Sequence, residues 1–438
     1  MKNTVIEYIK GRQIFDSRGI PTIEVDVILH GGIIGRASVP SGASVGSYEA
    51  VEKRDCEEDY YRNRSVLSSV HSVNTEILEA IRGADCIDQR QIDSLLCALD
   101  GTENKGRLGA NVILSVSLAV SVAAAKAQAI PLFRYIGGLA ANTMPTPMIN
   151  ILNGGVHADN NLRVQEFMIV PYGAGSFSEA IRMSAEIFYV LKKNMQKAGY
   201  SVNVGDEGGI APNIPTTEEA LDCIMAAIEG AKYKPGEDVG LALDIAANEF
   251  YQGDGRYQMN DEISSSSILN VEEMISWYRS LAERYPLISL EDPFQEDDRD
   301  GWKALTQEMG KQCQLVGDDL FATNRYRLMD GIANKTANAI LIKPNQVGTL
   351  TETIDVVRHA QLVGFSTIIS HRSGETEDVF IADLSVGLHC GQIKTGSLCR
   401  SDRLAKYNQL LRIEEYLGDT ATYTGKDMFR KFFNSEIL

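Results

Sequence analysis

Residues 339–345 read Ala-Ile-Leu-Ile-Lys-Pro-Asn, a short apolar run that ends in a lysine followed by a proline. The run does not alternate apolar with polar residues, so it predicts a strand buried on both faces, as in a parallel sheet. Lys343 then stands at the C-terminal end of that strand, which is where a barrel of parallel strands builds its active site. Taken alone, the lysine fits better with a core strand that simply reaches water there.

The same pattern recurs along the second half of the chain. Five more runs, the last of them weaker, end in ionisable residues: Asp244, Glu291, Asp318, His371 and Lys394. With Lys343 included, successive ends lie 23 to 47 residues apart, and a strand with its crossover helix needs about 30 residues. The spacing predicts a parallel (β/α) barrel whose six ionisable strand-end residues meet at one mouth.

Length and charge limit the other possibilities. The chain of 438 residues is long enough for two domains, since single cores stop growing near about 250 to 300 residues. Its formal charge of -17 argues against general binding to nucleic acid or to anionic membranes, because both need a basic surface. An anionic ligand must therefore meet a local cluster of basic groups.

Cysteine usage and the first residues bear on the compartment. The seven cysteines are scattered without a Cys-x-x-Cys spacing, which predicts reduced thiols in the cytosol and no disulfide framework or zinc site. Residues 1–18 carry charges throughout and have no apolar core, so we expect no signal peptide. The uncharged run at residues 108–125 approaches the length of a membrane span, but its serines and Asn111 favour a buried helix and no span.

Residues 1–138 form the first predicted domain, with strand patterns at its start and mostly helical patterns over residues 49–132. Residues 22–29 alternate apolar and polar side chains as an antiparallel strand does, and Gly31 with Gly32 predicts a hairpin turn after it. Residues 40–47, Pro-Ser-Gly-Ala-Ser-Val-Gly-Ser, lack the Gly-Lys-Ser/Thr of a phosphate-binding P-loop. They are compatible with a plain surface loop, or with a mobile lid in which a serine hydroxyl reaches a ligand or a metal.

We place the second domain at residues 139–438, after a boundary rich in small residues. It opens with a short apolar strand and with a second strand, residues 165–170, whose acid stands unusually at the strand's start. A glycine-rich loop then carries Asp206 and Glu207, an arrangement that solvated turns also show.

The strand-end residues suggest chemistry on a carbon acid. Asp244, Glu291 and Asp318 would repel one another unless a cation lay between them, and all-oxygen ligands select a hard divalent ion such as Mg²⁺. Three separate surface acids are the alternative. The His-Arg-Ser set at residues 371–373 can hold a phosphate or a carboxylate. Lys343 would serve as the base, and we expect neighbouring cations to lower its pKa toward the working pH.

Longer motifs resemble those of the enolase family over essentially the whole chain. They include Asp-Ser-Arg-Gly at residues 16–19, Val-Pro-Ser-Gly-Ala-Ser at 39–44, Gln-Glu-Phe-Met at 165–168, Gly-Asp-Glu-Gly-Gly at 205–209, Glu-Asp-Pro-Phe at 291–294 and Gln-Ile-Lys-Thr-Gly at 392–396. Several are far more specific than a lone glycine motif. The resemblance implies an α/β protein with an N-terminal α+β capping domain on a modified eight-stranded (β/α) TIM-type barrel.

The resemblance also implies an activity, the reversible Mg²⁺-dependent dehydration of 2-phospho-D-glycerate to phosphoenolpyruvate and water in glycolysis and gluconeogenesis. By motif, Lys343 would take the C2 proton and Glu207 would protonate the departing hydroxide. Two Mg²⁺ ions per site are expected, with Asp244, Glu291 and Asp318 as ligands of the first and Ser44 as a ligand of the second. The substrate would be surrounded by His157, Gln165, Glu166, His371, Arg372, Ser373 and Lys394.

Members of the family are homo-oligomers, commonly dimers or octamers, and act in the cytoplasm, while some also occur at the cell surface or are secreted without a signal peptide. Three departures from the family pattern leave the catalytic positions in place: Val45, residues 62–66 and Arg163. The rival interpretations are another superfamily member that acts on a different α-proton acid, a Schiff-base barrel aldolase that uses Lys343, and a catalytically weak paralogue with a surface-binding or structural role.

Overall fold

The computed structural model of the chain describes residues 3–42, 46–56, 60–259 and 268–432. Ser44, the expected ligand of a second metal ion, and its neighbour Val45 lie outside the described residues.

The N-terminal part contains a three-stranded antiparallel sheet. Its strands are β1 (Ile6–Phe15), β2 (Pro21–Leu29) and β3 (Ile34–Ser38). The turn between β2 and β3 contains Gly31 and Gly32, as predicted. Both glycines have a positive φ, in the left-handed region that residues with a side chain avoid.

A helical layer packs on this sheet. It consists of α1 (Leu67–Ser72), a π-helical turn (Val73–Ile77), α2 (Leu78–Ile81), α3 (Gln89–Asp100), α4 (Ala110–Ala127) and α5 (Leu132–Gly137). By length and composition alone α4 could cross a membrane, but 83% of it is buried inside the protein, which agrees with the expected core helix. It lies so close to the sheet that a Cβ atom on Gly35 would come within 2.3 Å of the Ala119 carbonyl oxygen.

The C-terminal part is a closed barrel of eight strands that follow one another in chain order around the barrel. They are β4 (Thr146–Asn153), β5 (Glu166–Val170), β6 (Gly240–Asp244), β7 (Leu287–Glu291), β8 (Gln314–Gly317), β9 (Ala339–Ile342), β10 (Ser366–Ser370) and β11 (Gly391–Lys394). The expected modified TIM-type barrel under an N-terminal cap is therefore confirmed.

The modification of the barrel is the direction of β5. This strand runs antiparallel to both β4 and β6, whereas the other neighbouring pairs are parallel. Because β5 is reversed, its first residue lies at the same end of the barrel as the last residues of its neighbours. Glu166 accordingly stands opposite Asn153 and Asp244. The reversal explains why this one strand carries its acid at the start.

Helices cover the outside of the barrel. They are α6 (Phe177–Lys197), α7 (Thr217–Gly230), α8 (Val271–Arg284), α9 (Arg299–Met309), α10 (Arg325–Asn334), α11 (Pro344–Val347), α12 (Leu350–Leu362), α13 (Phe380–Gly387) and α14 (Ser401–Leu417). Two small sheets lie outside the barrel, one formed by Tyr251–Gly253, Arg256–Gln258 and Ile268–Asn270, and one by Thr143–Met144 and Thr422–Tyr423. Short 3-10 helices occupy Gly138–Ala140, Gly155–His157, Ala247–Phe250, Gly418–Thr420 and Gly425–Phe432.

The cap rests on the C-terminal mouth of the barrel. The backbone amide of Ser17 donates to the Glu375 carbonyl at 2.7 Å, and that of Ser41 donates to the Gly374 carbonyl at 2.8 Å. These contacts place the start of the predicted lid beside the loop that follows β10. The mouth is thus covered by residues of the cap, while the boundary between residues 138 and 139 stays a prediction.

Candidate active site

The strand ends converge on a cavity of about 50 Å³ beneath the cap. Every described residue that the sequence assigned to the site lines this cavity, except Glu291, which reaches it through a contact with Lys394. Eight of the lining side chains are carboxylates and three are lysines or arginines. The cavity therefore has an excess of negative charge that a bound cation would offset.

Lys394 holds three of the carboxylates together. Its Nζ lies 3.1 Å from Glu166 Oε1, 2.9 Å from Asp244 Oδ2 and 2.8 Å from Glu291 Oε1. Burial lowers the pKa of Lys394, but these carboxylates outweigh it and raise that pKa well above its usual value. Burial and the charge of Glu207 raise the pKa of Glu166, and burial with Asp244 raises that of Glu291. One ammonium group thus does not neutralise its three partners.

Lys343 is bound to Asp318. Its Nζ donates to Asp318 Oδ2, and the other carboxylate oxygen accepts from Gln346 Nε2 at 3.1 Å. Burial lowers the pKa of Lys343, and Arg372 and Lys394 act in the same direction, but Asp318 outweighs them and the pKa is raised. The side chains of the protein alone therefore do not lower the pKa of Lys343, because the charge nearest to it is the aspartate and not a cation.

The structure divides the expected metal-binding trio between the two ammonium groups. Lys394 contacts Asp244 and Glu291, whereas Lys343 contacts Asp318. Within the described ranges, the three carboxylates do not form one group of donor atoms closer than 4.8 Å to one another. Each already binds a cationic side chain, so a divalent ion would have to take over oxygen atoms that now contact ammonium groups.

A tighter acidic group lies next to Asp318. Donor atoms of Asp292, Asp318 and Asp319 all lie within 4.8 Å of one another. The Asp292 carboxylate also accepts from the backbone amides of Asp318, at 3.0 Å, and of Asp319, at 2.8 Å. Burial and the charge of Asp318 raise the pKa of Asp319 to about 7. Crowded carboxylate oxygens of this kind fit a hard divalent cation, so the residues present are compatible with Mg²⁺.

His157 places an imidazole ring beside two carboxylates of the cavity. Its Nδ1 lies 3.7 Å from Glu166 Oε1 and 3.7 Å from Glu207 Oε1. Gln165, just before the reversed strand, donates from Nε2 to Asp244 Oδ2 at 3.2 Å. These residues connect Glu207 with the carboxylates around Lys394.

Glu207 is buried among hydrogen-bond donors. Asn150 Nδ2 donates to its Oε2 at 3.2 Å, and His371 Nε2 lies 3.3 Å from the same oxygen. Burial raises the pKa of Glu207, but His371 and His157 outweigh it and hold that pKa well below its usual range. The carboxylate form is therefore favoured, which is the opposite of what the general acid expected from the sequence would need.

Arg372 shows how the site can bind an anion. Its two terminal nitrogens donate to Glu49, NH1 to Oε2 at 2.8 Å and NH2 to Oε1 at 3.1 Å, and NH1 also donates to Asn345 Oδ1 at 3.1 Å. This paired geometry is the one in which guanidinium groups bind carboxylates and phosphates. Because Glu49 belongs to the cap, the same contact joins the two parts of the protein above the cavity, beside Ser373.

Sequence reasoning missed four polar residues that support these groups: Glu49, Asn150, Asp292 and Arg403. Two of them adjoin assigned motifs, since Asp292 follows Glu291 and Glu49 follows the predicted lid, and this was the available signal. Asn150 lies inside an apolar strand, where a polar side chain implies a partner. Arg403 lies in the first turn of an ordinary helix, and nothing in its surroundings in the sequence indicates its place.

Two protein-family models match the chain, one for each part of the structure. The model described as Enolase, N-terminal domain, matches residues 6–136. The model described as Enolase, C-terminal TIM barrel domain, matches residues 141–432. Together they cover far more than half of the chain and include the described residues of the cavity.

Proposed function

The chain belongs to the enolase family, and from this premise we propose that it is a lyase that interconverts 2-phospho-D-glycerate and phosphoenolpyruvate by removing or adding water. The observation that best supports the proposal is that Lys343 and Glu207 line one cavity together with buried carboxylates and a paired anion-binding arginine. A base, an acid, a cation site and an anion site are what this dehydration requires.

In the proposed reaction, Arg372 and Ser373 bind the phosphate of the substrate. The two Arg372 nitrogens that now donate to Glu49 would then donate to phosphate oxygens. Lys343, in its neutral form, removes the proton from C2, and the C–H electron pair stays on the substrate as a carbanion delocalised into its carboxylate. In a second step that electron pair forms the C2–C3 double bond, the C3–oxygen bond breaks, and Glu207 gives a proton to the oxygen so that water leaves.

The charge of the substrate resolves the conflict over Glu207. In this structure its carboxylate form is favoured, yet the dehydration needs its acid form. A bound phosphoglycerate brings the negative charges of a phosphate and a carboxylate, and nearby negative charge raises the pKa of a carboxyl group. In the hydration direction, the ionised Glu207 is already in the form that accepts a proton from water.

The acidic residues would hold Mg²⁺, and two ions per site are proposed. Asp244, Glu291 and Asp318 would hold the first, and Ser44 would contribute to the second. When bound, Mg²⁺ would supply positive charge that lowers the pKa of Lys343 and stabilises the negative charge of the deprotonated substrate. In the protein alone, Asp318 keeps Lys343 protonated and so holds the base in its inactive form.

The direct test is to add 2-phosphoglycerate and Mg²⁺ to the purified protein and to follow the increase in absorbance at the enol band of phosphoenolpyruvate. We expect phosphoenolpyruvate to form. In the matched control, Lys343→Ala, the rate of its formation should fall by a factor of at least about 10². Turnover of another α-proton acid but not of 2-phosphoglycerate would instead show a different superfamily activity. Binding of Mg²⁺ and substrate without any turnover would favour the second candidate, a weak paralogue with a binding or structural role.

We also propose that the protein is a homo-oligomer, a dimer or an octamer, that acts in the cytoplasm. A groove of about 1030 Å³ between cap and barrel supports this, because its walls include the exposed apolar residues Phe15, Ile130 and Tyr416. Glu24 and Arg412 add charges of both signs to the groove, as a surface that pairs with its own copy requires. Light scattering should show an oligomer that Arg412→Glu weakens, and a monomer at every concentration would contradict the proposal.

A further inference from the structure

Helix α14 begins with a buried charge that the proposed mechanism does not use. Arg403 in its first turn is 0% exposed, and its Nε lies 2.8 Å from Asp402 Oδ2. A guanidinium group carries five N–H donors, and burying it is costly unless those donors find acceptors. Nε and Asp402 Oδ2 form an ion pair but no hydrogen bond. The acceptors of the two terminal nitrogens belong to two loops of the cavity.

The guanidinium of Arg403 joins these loops through their backbone carbonyls. NH1 donates to the Arg372 carbonyl at 2.6 Å, and NH2 donates to the Ser373 carbonyl at 2.6 Å and to the Asp206 carbonyl at 3.3 Å. The first two carbonyls belong to the loop that is proposed to bind phosphate. The third directly precedes Glu207, the proposed acid. One side chain therefore fixes the acid loop relative to the anion-binding loop.

The same side chain determines which nitrogen of His371 carries the proton. NH1 of Arg403 also donates to Nδ1 of His371, and a guanidinium group keeps its protons and cannot accept a hydrogen bond. Nδ1 must therefore be the unprotonated nitrogen, so the proton of the neutral ring lies on Nε2. That nitrogen lies 3.3 Å from Glu207 Oε2. The ring thus carries its N–H group on the side of the carboxylate, although Nε2 and Oε2 do not form a hydrogen bond in this arrangement.

Two glycines make room for this arrangement. A Cβ atom on Gly396 would come within 2.8 Å of both Arg403 Cδ and the Glu207 carbonyl oxygen, and one on Gly208 would come within 2.6 Å of the Cys399 carbonyl oxygen. Both glycines have a positive φ, and both belong to motifs that the sequence analysis singled out. Their positions allow the acid loop to pack directly against the start of α14.

We propose that Arg403 is a positioning residue that holds His371 in its Nε2–H tautomer and fixes the loop of Glu207 against the loop of residues 371–373. Its effect on turnover rests on the proposed function, whereas its effect on the ring does not. The charged groups that act on the ring include Glu207, Arg403, Lys394 and the buried Glu375. Burial, with the charges of Arg403 and Lys394, lowers the pKa of His371 to about 4. The ring is therefore neutral at neutral pH and lies beside Glu207 without supplying a proton itself.

The tautomer can be measured without any turnover. Nitrogen NMR of the full-length protein labelled in its six histidines distinguishes the two ring nitrogens, and His371→Gln identifies the His371 signals by their loss. We expect a neutral ring with the proton on Nε2 between about pH 6 and about pH 8. A proton on Nδ1, or a titration of this ring inside that range, would overturn the proposal.

A pair of matched variants tests the positioning. Arg403→Lys keeps the charge but loses the planar fork, and Arg400→Lys is the control, because Arg400 precedes the same helix and donates to the Ser17 carbonyl at 2.6 Å. We expect Arg403→Lys to lower kcat about 100-fold, with a smaller change in KM, and to lose the single tautomer of His371. Exchange of the substrate C2 hydrogen, which depends on Lys343, should remain.

The outcomes separate this proposal from the proposed function. Equal losses in the two variants, or an unchanged His371 tautomer in Arg403→Lys, would overturn the role of Arg403. If the wild-type protein does not dehydrate 2-phosphoglycerate, the proposed function is wrong. The nitrogen NMR measurement of the His371 tautomer would still test the role of Arg403. If Arg403→Lys does not fold, the tautomer of His371 in the wild-type protein tests the proposal, and a proton on Nδ1 would overturn it.

Discussion

Among the single residues of the cavity, Asp318 owes its charge to one neighbour. Burial acts to raise its pKa, but Lys343 outweighs burial and lowers it. The carboxylate is therefore ionised, and its two oxygens bind Lys343 and Gln346. In the proposal the same carboxylate is a metal ligand, so it exchanges one positive partner for another.

We expect Asp318→Asn to weaken Mg²⁺ binding and to reduce turnover steeply, because an amide offers one uncharged oxygen in place of a carboxylate. Calorimetric titration with Mg²⁺ and no substrate measures the binding apart from activity. Asp254→Asn is the control, since that side chain is 91% exposed and lies outside the barrel. Unchanged Mg²⁺ affinity in Asp318→Asn would remove this residue from the metal site, and full turnover after exhaustive chelation would contradict the need for a metal.

Residues at strand ends could be predicted because each follows from a local pattern, an apolar run and the residue that closes it. Arg403 and Glu49 could not, because they reach the cavity from a helix and from the cap, and contacts between distant segments leave no periodic signal. The direction of the Lys343 pKa shift also escaped prediction, since a single contact with Asp318 decides it.

At the scale of elements, the loop after β8 is shaped by the loop after β7. Asp292 has a left-handed backbone with φ of 40°, and its carboxylate accepts from two consecutive amides, those of Asp318 and Asp319. Asp292, in the loop after β7, thus holds the backbone of Asp318, the proposed metal ligand after β8. The sequence indicated both loops but not their connection, just as it indicated the acid at the start of β5 but not the reversed direction of that strand.

We expect Asp292→Asn to lower the affinity for Mg²⁺ by about 10- to 100-fold, the usual effect of losing a side chain that orients a metal ligand. Asparagine tolerates the left-handed backbone, but its amide has one acceptor atom for two N–H groups. The measurement is the Mg²⁺ titration of substrate-free protein, with the exposed Asp300 of α9 changed to asparagine as the control. Equal affinities in the two variants would show that the Asp292 contacts do not orient the site.

At the scale of the whole molecule, cap and barrel are joined by a buried carboxylate that does not line the cavity of the proposed chemistry. Asp383 in α13 accepts from the Phe133 amide of α5 at 3.2 Å and from Gln409 Nε2 at 2.9 Å. Burial raises its pKa from 3.8 to about 6. Because the folded protein holds this proton more tightly than the unfolded chain, the stability that the group contributes is complete below about pH 3.8 and is lost as the pH rises through about 6.

We therefore expect Asp383→Asn to gain stability relative to the wild type as the pH rises. Two pKa units correspond to about 3 kcal/mol, so the difference in free energy of unfolding should grow by at most about that amount between about pH 4 and about pH 7. Denaturant unfolding of both proteins across this range measures the difference. A difference that stays constant with pH would show that Asp383 does not carry the shift.

In the proposed reaction, Lys343 removes the C2 proton and Glu207 acts on the departing oxygen. The most direct test of these two roles is the exchange of the C2 hydrogen of 2-phosphoglycerate with deuterated water, measured beside overall turnover with Mg²⁺ present. We expect Lys343→Ala to lose both exchange and turnover. We expect turnover in Glu207→Gln to fall by a factor of about 10² to 10⁴, while much of the exchange remains. Exchange that persists in Lys343→Ala and disappears in Glu207→Gln would contradict the assigned roles.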